Sequence, residues 1–364
     1  MGEGDGERPA GTERPMETLA RLADLVTPMS LRVAATLGLI DRMLDGPGTA
    51  ERLAGLTGVD IDALTRLLRH LAAVGVVEER DGRFVPTAVG MLLSDDHPAR
   101  QRAWLDLQGA VGRADLAFLR LLDSVRTGRP AYETTYGRPF WADLSAVPSL
   151  GESFDELMAT DEEAATAALV AAYDWSAVRH MLDMGGAPGA MLKAVMRAAP
   201  RARGTLLDLP GPAERARKNL ASAGLADRVD VLAGDFFAAP PVTADLVLLS
   251  FVLLNWDDGD AARILLNCRQ ALEPGGRILL VERADTGATS AASQVYRSVL
   301  DMRMLVFLGG RVRDIREWTG LADAAGLEIR SVVSPISSPV TPFDSCLIEM
   351  APLDTGADGP TTRK

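Results

Sequence analysis

Histidine and cysteine are scarce in this chain of 364 residues, which has only His70, His97 and His180 and only Cys268 and Cys346. Two isolated cysteines cannot make a disulfide framework or a thiolate metal cluster, so both are expected as small buried apolar groups, with no redox or metal chemistry. Positive charge is also short: 38 Lys+Arg stand against 50 Asp+Glu, a formal charge of -12. Such a field repels nucleic acid and anionic membranes, which leaves small molecules and proteins as partners. Long apolar runs are missing. The stretch from Leu246 to Leu254 falls far short of the roughly 20 residues a membrane-spanning helix needs. The first residues, Met1-Gly-Glu-Gly-Asp-Gly, offer neither a basic start nor an apolar signal segment, and a cytoplasmic location is expected.

What is present is the balance of a folded protein, 47% apolar and 24% charged, and the length suits two domains. Residues 1–15 and 352–364 are rich in Gly, Pro, Thr and charge and are expected as disordered tails. Between Met16 and Leu44 apolar residues recur at helical spacing, which predicts two helices. A capped short helix then opens at Thr49, a second helix opens at Asp60 after a Gly turn, and Val76 to Val85 reads as two short strands about Asp81-Gly82. Helix, turn, helix and hairpin make a winged-helix pattern over residues 16–100. Arg66, Arg69 and His70 on its second helix suggest DNA binding, but Glu78, Glu79 and Asp81 on the wing cancel them. A scaffold for pairing two subunits is the better reading. Residues 101–175 continue as a helical linker.

After Trp175 short apolar strands alternate with helices, the pattern of a parallel, doubly wound α/β sheet over residues 176–351. Seven strands are expected, at 180–184, 204–208, 229–233, 244–250, 277–282, 328–333 and 345–350. Ligands of such sheets lie beyond the carboxyl ends of the strands. The first strand ends in Asp183, Gly185, Gly186 and Gly189, where glycine lets backbone N–H groups approach a ligand at a helix N-terminus. Next comes Asp208, an acidic group about 20 residues past the glycines, placed for ribose hydroxyls. The third strand leads into Gly234-Asp235-Phe236-Phe237, a carboxylate for an adenine amine beside an aromatic face. The fourth ends at Ser250. Three such ends in succession point to a nucleoside cofactor. Because Gly185-Gly-Ala-Pro-Gly-Ala190 does not fit Gly-x-Gly-x-x-Gly, S-adenosylmethionine is favoured over NAD.

The runs Tyr173-Asp-Trp-Ser-Ala-Val-Arg-His, Gly211-Pro-Ala-Glu-Arg-Ala-Arg, Gly234-Asp-Phe-Phe, Leu249-Ser-Phe-Val-Leu-Leu-Asn-Trp, Leu272-Glu-Pro-Gly-Gly-Arg and Leu300-Asp-Met-Arg-Met-Leu-Val-Phe-Leu-Gly-Gly-Arg carry a resemblance. Over roughly residues 16–351 the chain resembles small-molecule O-methyltransferases with a winged-helix dimerisation domain, in the branch that tailors anthracyclines and other aromatic polyketides. The resemblance implies a class I S-adenosylmethionine-dependent methyltransferase fold, Rossmann-like with a seven-stranded sheet, in a homodimer. It places Gly185, Gly186, Asp208, Asp235, Phe236 and Ser250 at the cofactor and Asn255 and Arg303 at the reacting aromatic. Trp104, Tyr296, Met304, Phe307 and Leu308 are expected along the substrate, although helix core is an equal reading of the last four.

Two departures from that family bear on mechanism. Ala187 and Pro188 stand where a third glycine and a polar residue are usual, and proline removes an N–H donor from the cradle. The plant branch has a catalytic histidine before an acidic residue and tryptophan, whereas this chain reads Leu254-Asn255-Trp256-Asp257, so histidine general-base catalysis is not expected. The expected reaction is O-methylation of an aromatic polyketide. The alternative is a non-methylating tailoring step on the same fold: decarboxylation, hydroxylation or cyclisation.

Overall fold

A computed structural model describes residues 14–283, 291–337 and 344–353. The tails expected at residues 1–15 and 352–364 lie, apart from residues 14–15 and 352–353, outside the described residues. The chain divides into two compact units, residues 1–108 and 109–364.

The N-terminal unit contains α1 (Pro15–Leu22), α2 (Val26–Thr36), α3 (Leu39–Leu44), α4 (Ala50–Thr57), α5 (Ile61–Ala73), the strands β1 (Val77–Arg80) and β2 (Arg83–Pro86), and the short α6 (Ala88–Met91) and α7 (Gln101–Leu105). Where periodicity predicts two helices before residue 45 there are three, because the path breaks at Ala23–Leu25 and again at Leu37–Gly38. The hydroxyl of Thr49 accepts the Arg52 N–H, which caps the helix expected there, and the carboxylate of Asp60 likewise accepts that of Ala63 at the start of the next. Leu39, Ile40, Leu53, Leu64, Leu68 and Leu71 fill the core beneath the β1–β2 hairpin. His70 is tied to the Thr27 hydroxyl at 3.1 Å, and Arg66 to Asp62 at 2.8 Å. Two of the three basic residues expected on that helix thus have partners within the unit.

The C-terminal unit begins with helices α8 (Ala110–Asp115), α9 (Leu121–Thr127), α10 (Ala131–Tyr136), α11 (Phe140–Ala146) and the long α12 (Pro148–Ala171). The stretch that the sequence sets apart as a linker therefore belongs, from Gly109 onward, to this unit. The strands β3 (His180–Met184), β4 (Arg203–Asp208), β5 (Val229–Ala233), β6 (Ala244–Ser250), β7 (Leu272–Glu282), β8 (Leu327–Ser337) and β9 (Asp344–Pro352) form one sheet in the order β5-β4-β3-β6-β7-β9-β8. Helices α13 (Ala190–Ala198), α14 (Pro210–Ser222), α15 (Asp258–Gln270), α16 (Ala291–Phe307) and α17 (Ile315–Ala324) connect them. The sheet is mixed rather than wholly parallel: β3 to β7 pair parallel, while β9 runs antiparallel to both β7 and β8. The physical reason is length. Residues 338–343 between β8 and β9 are too few for the crossover of a dozen or more residues that parallel pairing requires.

Successive residues of a strand face opposite sides, so a central strand must be apolar throughout. In β6, Leu246 and Leu248 enter the core under α12, α13 and α14, while Val247 and Leu249 enter the one under α15 and α17. This rule also assigns the strand-end carboxylates. Asp183 shares the face of Met181, and Glu282 shares the face of Ile278 and Leu280. The order reverses between β3 and β6, which opens a crevice at their carboxyl ends.

Candidate active site

The first wall of the crevice is the turn from β3 into α13. Gly185 donates its N–H to the Leu207 carbonyl (2.8 Å), Ala187 donates to Asp208 Oδ2 (3.1 Å) and Gly189 donates to the Gly186 carbonyl (2.7 Å). Among the described residues the Gly186 N–H has no acceptor, and both oxygens of Asp183, wholly buried, have no donor. A side chain at Gly186 would place its Cβ 2.1 Å from Asp183 Oδ2, so only glycine permits this approach. Burial, with the neighbouring Asp208 carboxylate adding repulsion, raises the Asp183 carboxyl to about 7. An unsatisfied buried group costs on the order of 1–3 kcal/mol. The adjoining β6 can sustain that, since each of its buried Leu and Val side chains contributes about 2 kcal/mol.

Asp208, at the end of β4, accepts the Leu209 N–H at 2.7 Å through Oδ1 as well as that of Ala187. Each oxygen keeps a second lone pair for a ribose hydroxyl. Burial pushes this carboxyl upward too, against those two hydrogen bonds. Phe236 follows β5, with its ring edge 3.3 Å from the Cβ position of Gly185 and perpendicular to the Trp256 ring at 5.8 Å. Asp235 is exposed, and its Oδ1 accepts the Phe237 N–H. Ser250 ends β6, half-buried. The geometry therefore gathers Asp183, Gly185, Gly186, Asp208 and Phe236 about one crevice, with Asp235 and Ser250 at the next strand ends. A buried carboxyl without a donor, a free N–H and two carboxylate lone pairs suit a ligand with a cationic group, a carboxylate and a ribose. S-adenosylmethionine carries all three. Pro188 offers no N–H, and Ala187 directs its own to Asp208, which leaves the Gly186 N–H and the Asp183 carboxyl as the open part of the turn.

The second wall is the turn after β6. Phe251 adopts φ +53°, an unusual conformation for a bulky residue, and leads into a 3-10 turn over Leu253–Asn255. Asn255 donates from Nδ2 to the Phe251 carbonyl at 3.1 Å, which fixes the amide and leaves Oδ1 as an acceptor. Two residues that sequence reasoning missed hold this turn. Glu282, at the end of β7, accepts the Leu253 N–H at 3.0 Å, and burial raises its carboxyl to about 8 against the opposing pull of Arg313. Arg313, also buried, donates to the carbonyls of Leu253 (2.8 Å) and Trp256 (2.7 Å). Glu282 could have been found as a strand-end residue. Arg313 had no such signal, lying two residues past the Gly-Gly-Arg run.

Arg303, on α16, is held by a two-pronged pair with Asp115, Nε to Oδ1 and Nη2 to Oδ2, both 3.0 Å. Met304 and Phe307 are buried, the Phe307 ring stacking on Phe140 at 6.2 Å and meeting Phe118 edge-on at 6.0 Å. Tyr296 is exposed and Leu308 is half-buried. Trp104 lies on α7 in the N-terminal unit. None of the histidines stands at a carboxyl strand end: His70 and His97 belong to the N-terminal unit, and His180 opens β3 against the Thr205 hydroxyl. No group of three or more His, Cys, Asp or Glu suited to a metal occurs among the described residues. Among them, too, no helix is long and apolar enough to cross a membrane.

Comparison with known proteins agrees with this geometry. Residues 118–328 match the O-methyltransferase domain, and residues 20–96 match the O-methyltransferase dimerisation domain. The chain is 56% identical over 348 residues to aclacinomycin 10-hydroxylase RdmB of Streptomyces purpurascens, covering 94% of this chain and 92% of that protein. It is 44% identical to 2,7-dihydroxy-5-methyl-1-naphthoate 7-O-methyltransferase of Streptomyces carzinostaticus, covering 88% and 94%. Among solved structures, the neocarzinostatin O-methyltransferase NcsB1, in complex with S-adenosylmethionine and 2-hydroxy-5-methyl naphthoic acid, superimposes with a TM-score of 0.86 at 40% identity, covering 95% of this chain and all of that one. The chain belongs to the O-methyltransferase family, with the S-adenosylmethionine-dependent class I fold and the family's dimerisation domain.

Proposed function

We propose that this protein transfers a methyl group from S-adenosylmethionine to a phenolic oxygen of an aromatic polyketide, as a cytoplasmic homodimer that binds no nucleic acid. The observation that carries the reading is the pairing of the open Asp183–Gly186 cradle with a fixed Asn255 amide on the facing turn. When bound, S-adenosylmethionine supplies an electrophilic methyl group. Asp183, Gly185, Gly186 and Asp208 hold the cofactor, with Asp235, Phe236 and Ser250 toward the adenine, so that the methyl is aligned for attack. Asn255 Oδ1 accepts a hydrogen bond from the phenol and orients its oxygen. Arg303, Tyr296, Met304, Phe307 and Leu308 border the aromatic. With no histidine in the crevice, rate comes from alignment: the phenol keeps its hydrogen bond to Asn255 Oδ1 while its oxygen attacks, and the proton, made strongly acidic as the methyl arrives, passes to water.

One observation favours a second reading: the 56% identity to a 10-hydroxylase, together with Ala187-Pro188 in the cradle. In that case the same crevice carries out a non-methylating tailoring step. Incubation with methyl-labelled S-adenosylmethionine and a panel of hydroxylated naphthoates and anthracyclines separates the two. Label in the product is the expected result; substrate conversion without label would establish the second reading.

A further inference from the structure

The turn that carries Asn255 is bound from beneath far more completely than a surface loop requires. The carbonyl of Phe251 accepts the Asn255 side chain, and that of Val252 accepts the Asn255 N–H. The Leu254 carbonyl accepts the Arg311 N–H at 2.9 Å. The Leu253 peptide is gripped at both ends, its N–H by Glu282 Oε1 and its carbonyl by Arg313 Nη1. Arg313 Nη2 reaches past Asn255 to the Trp256 carbonyl, and Nε bonds Asp258 Oδ1 at 2.9 Å in the first turn of α15. The guanidinium, 1% exposed, lies over the Trp318 ring at 5.3 Å. Gly310 presses on the same turn, since a Cβ there would sit 2.1 Å from the Leu254 carbonyl.

Burying a guanidinium is expensive, and an apolar side chain would fill this space at lower cost. What the planar fork supplies and an apolar group cannot is direction. It bonds carbonyls on both sides of Asn255 at fixed angles. We infer that Arg313 is a positioning residue: from inside the fold it locks the Phe251–Trp256 turn and so sets the direction in which Asn255 presents its side-chain oxygen to the substrate. The inference rests on the reading of Asn255 as the group that orients the phenol. Arg313 has no contact with substrate in this arrangement and acts only through the turn.

The test uses the full-length protein, with Arg313→Met and Arg313→Lys made alone and in an Asn255→Ala background. The probe is 1,4-dihydroxy-2-naphthoic acid with labelled S-adenosylmethionine, and amide hydrogen exchange is followed at residues 253–256. Arg313→Met is expected to lower kcat about 10-fold, because a loosened turn presents Asn255 to the reacting oxygen in poorer alignment. The dissociation constant for S-adenosylmethionine should stay within about twofold. Arg313→Lys, which keeps the charge but loses the fork, should recover part of the rate and serves as the variant if Arg313→Met does not fold. In the Asn255→Ala background either substitution should cost less than about twofold more, because coupled residues are not additive. Exchange at residues 253–256 should quicken in both variants. Equal losses in the two backgrounds would overturn the inference. Exchange remains decisive if the wild-type protein labels no probe, a result that counts against methyl transfer itself. Unchanged exchange at residues 253–256 would then refute the lock, and faster exchange would support it.

Discussion

The two walls of the crevice treat their polar groups in opposite ways. At the β3 turn, Asp183 keeps two buried oxygens without donors and Gly186 keeps an N–H without an acceptor. At the β6 turn, the carbonyls of residues 251–254 and 256 all accept hydrogen bonds, and a buried Glu282 and Arg313 secure Leu253 at its N–H and its carbonyl. Buried polar groups are ordinarily paired, so a wall left open is one that a ligand completes. A wall that is closed already has its geometry before the ligand arrives, as orientation of a reacting group demands. The function proposed above accordingly assigns cofactor binding to the open wall and substrate alignment to the closed one.

The sharpest way to break the comparison is Gly186→Ala. Its methyl would lie 2.1 Å from the Asp183 carboxylate, and overpacking of this kind costs about 1–3 kcal/mol. Affinity for S-adenosylmethionine should fall by as much as about 100-fold, with calorimetric titration as the measurement. Unchanged affinity would show that the cofactor does not use this turn. Asn255→Ala attacks the other wall. Loss of the acceptor should lower kcat by about 10- to 30-fold, the worth of a hydrogen bond formed to a developing charge. The titrated affinity for S-adenosylmethionine should not change. If Asn255→Ala weakened cofactor binding as Gly186→Ala does, the division between the walls would be lost.

A pH experiment probes the open wall without mutation. With its pKa raised to about 7, Asp183 is protonated in the free folded protein below that pH. A cationic group entering the cradle favours the ionised form, so binding releases a proton and affinity rises with pH up to about 7. Between pH 6 and pH 8 the gain should be about 10-fold, since one pKa unit corresponds to 1.36 kcal/mol. Asp183→Asn should flatten the profile. The stability of the free protein moves the other way: a carboxyl with a raised folded pKa favours folding when protonated, and its contribution is lost as pH rises from about 4, the unfolded value, to about 7. Thermal melts across that window should show the decline, and Asp183→Asn should reduce it.

How far these walls could be read from the sequence depends on the kind of signal each uses. Gly185, Gly186, Asp208 and Phe236 stand at strand ends, and strands announce themselves through runs such as Leu246 to Leu249, so the open wall was legible from spacing. Three helices before residue 45 were not. The break at Ala23–Leu25 is made locally, by the Asp24 carboxylate accepting the N–H groups of Val26 and Thr27, but one acidic residue inside an apolar periodicity does not announce that role. The antiparallel β9 could have been inferred from the short gap between the last two strands. Arg313 could not, because its role arises when residues 253, 256, 258 and 313 meet in space, and nothing in its neighbours marks the encounter. The bland reading of α16 proved apt in part: Met304 and Phe307 are packed in the fold, the latter against Phe118 and Phe140.

Arg303 is the residue whose side of the comparison is least obvious, and its substitution has the smallest expected effect. The two-pronged pair with Asp115 uses two of the guanidinium's five N–H donors, one on each carboxylate oxygen, and so fixes the plane of the group. An arginine placed in this way resembles the closed wall, fixed before substrate arrives. Arg303→Lys keeps the charge but cannot reproduce the fork. If Arg303 borders the aromatic, KM for the phenolic substrate should rise by about threefold, with kcat and the affinity for S-adenosylmethionine within about twofold, as expected for uniform binding. A lowered melting temperature with unaltered KM would instead make the pair with Asp115 purely a link between α8 and α16. Asp115→Asn distinguishes these outcomes further, because it loosens the guanidinium without touching its charge. A KM shift shared by both substitutions would place Arg303 with Asn255 on the pre-formed wall.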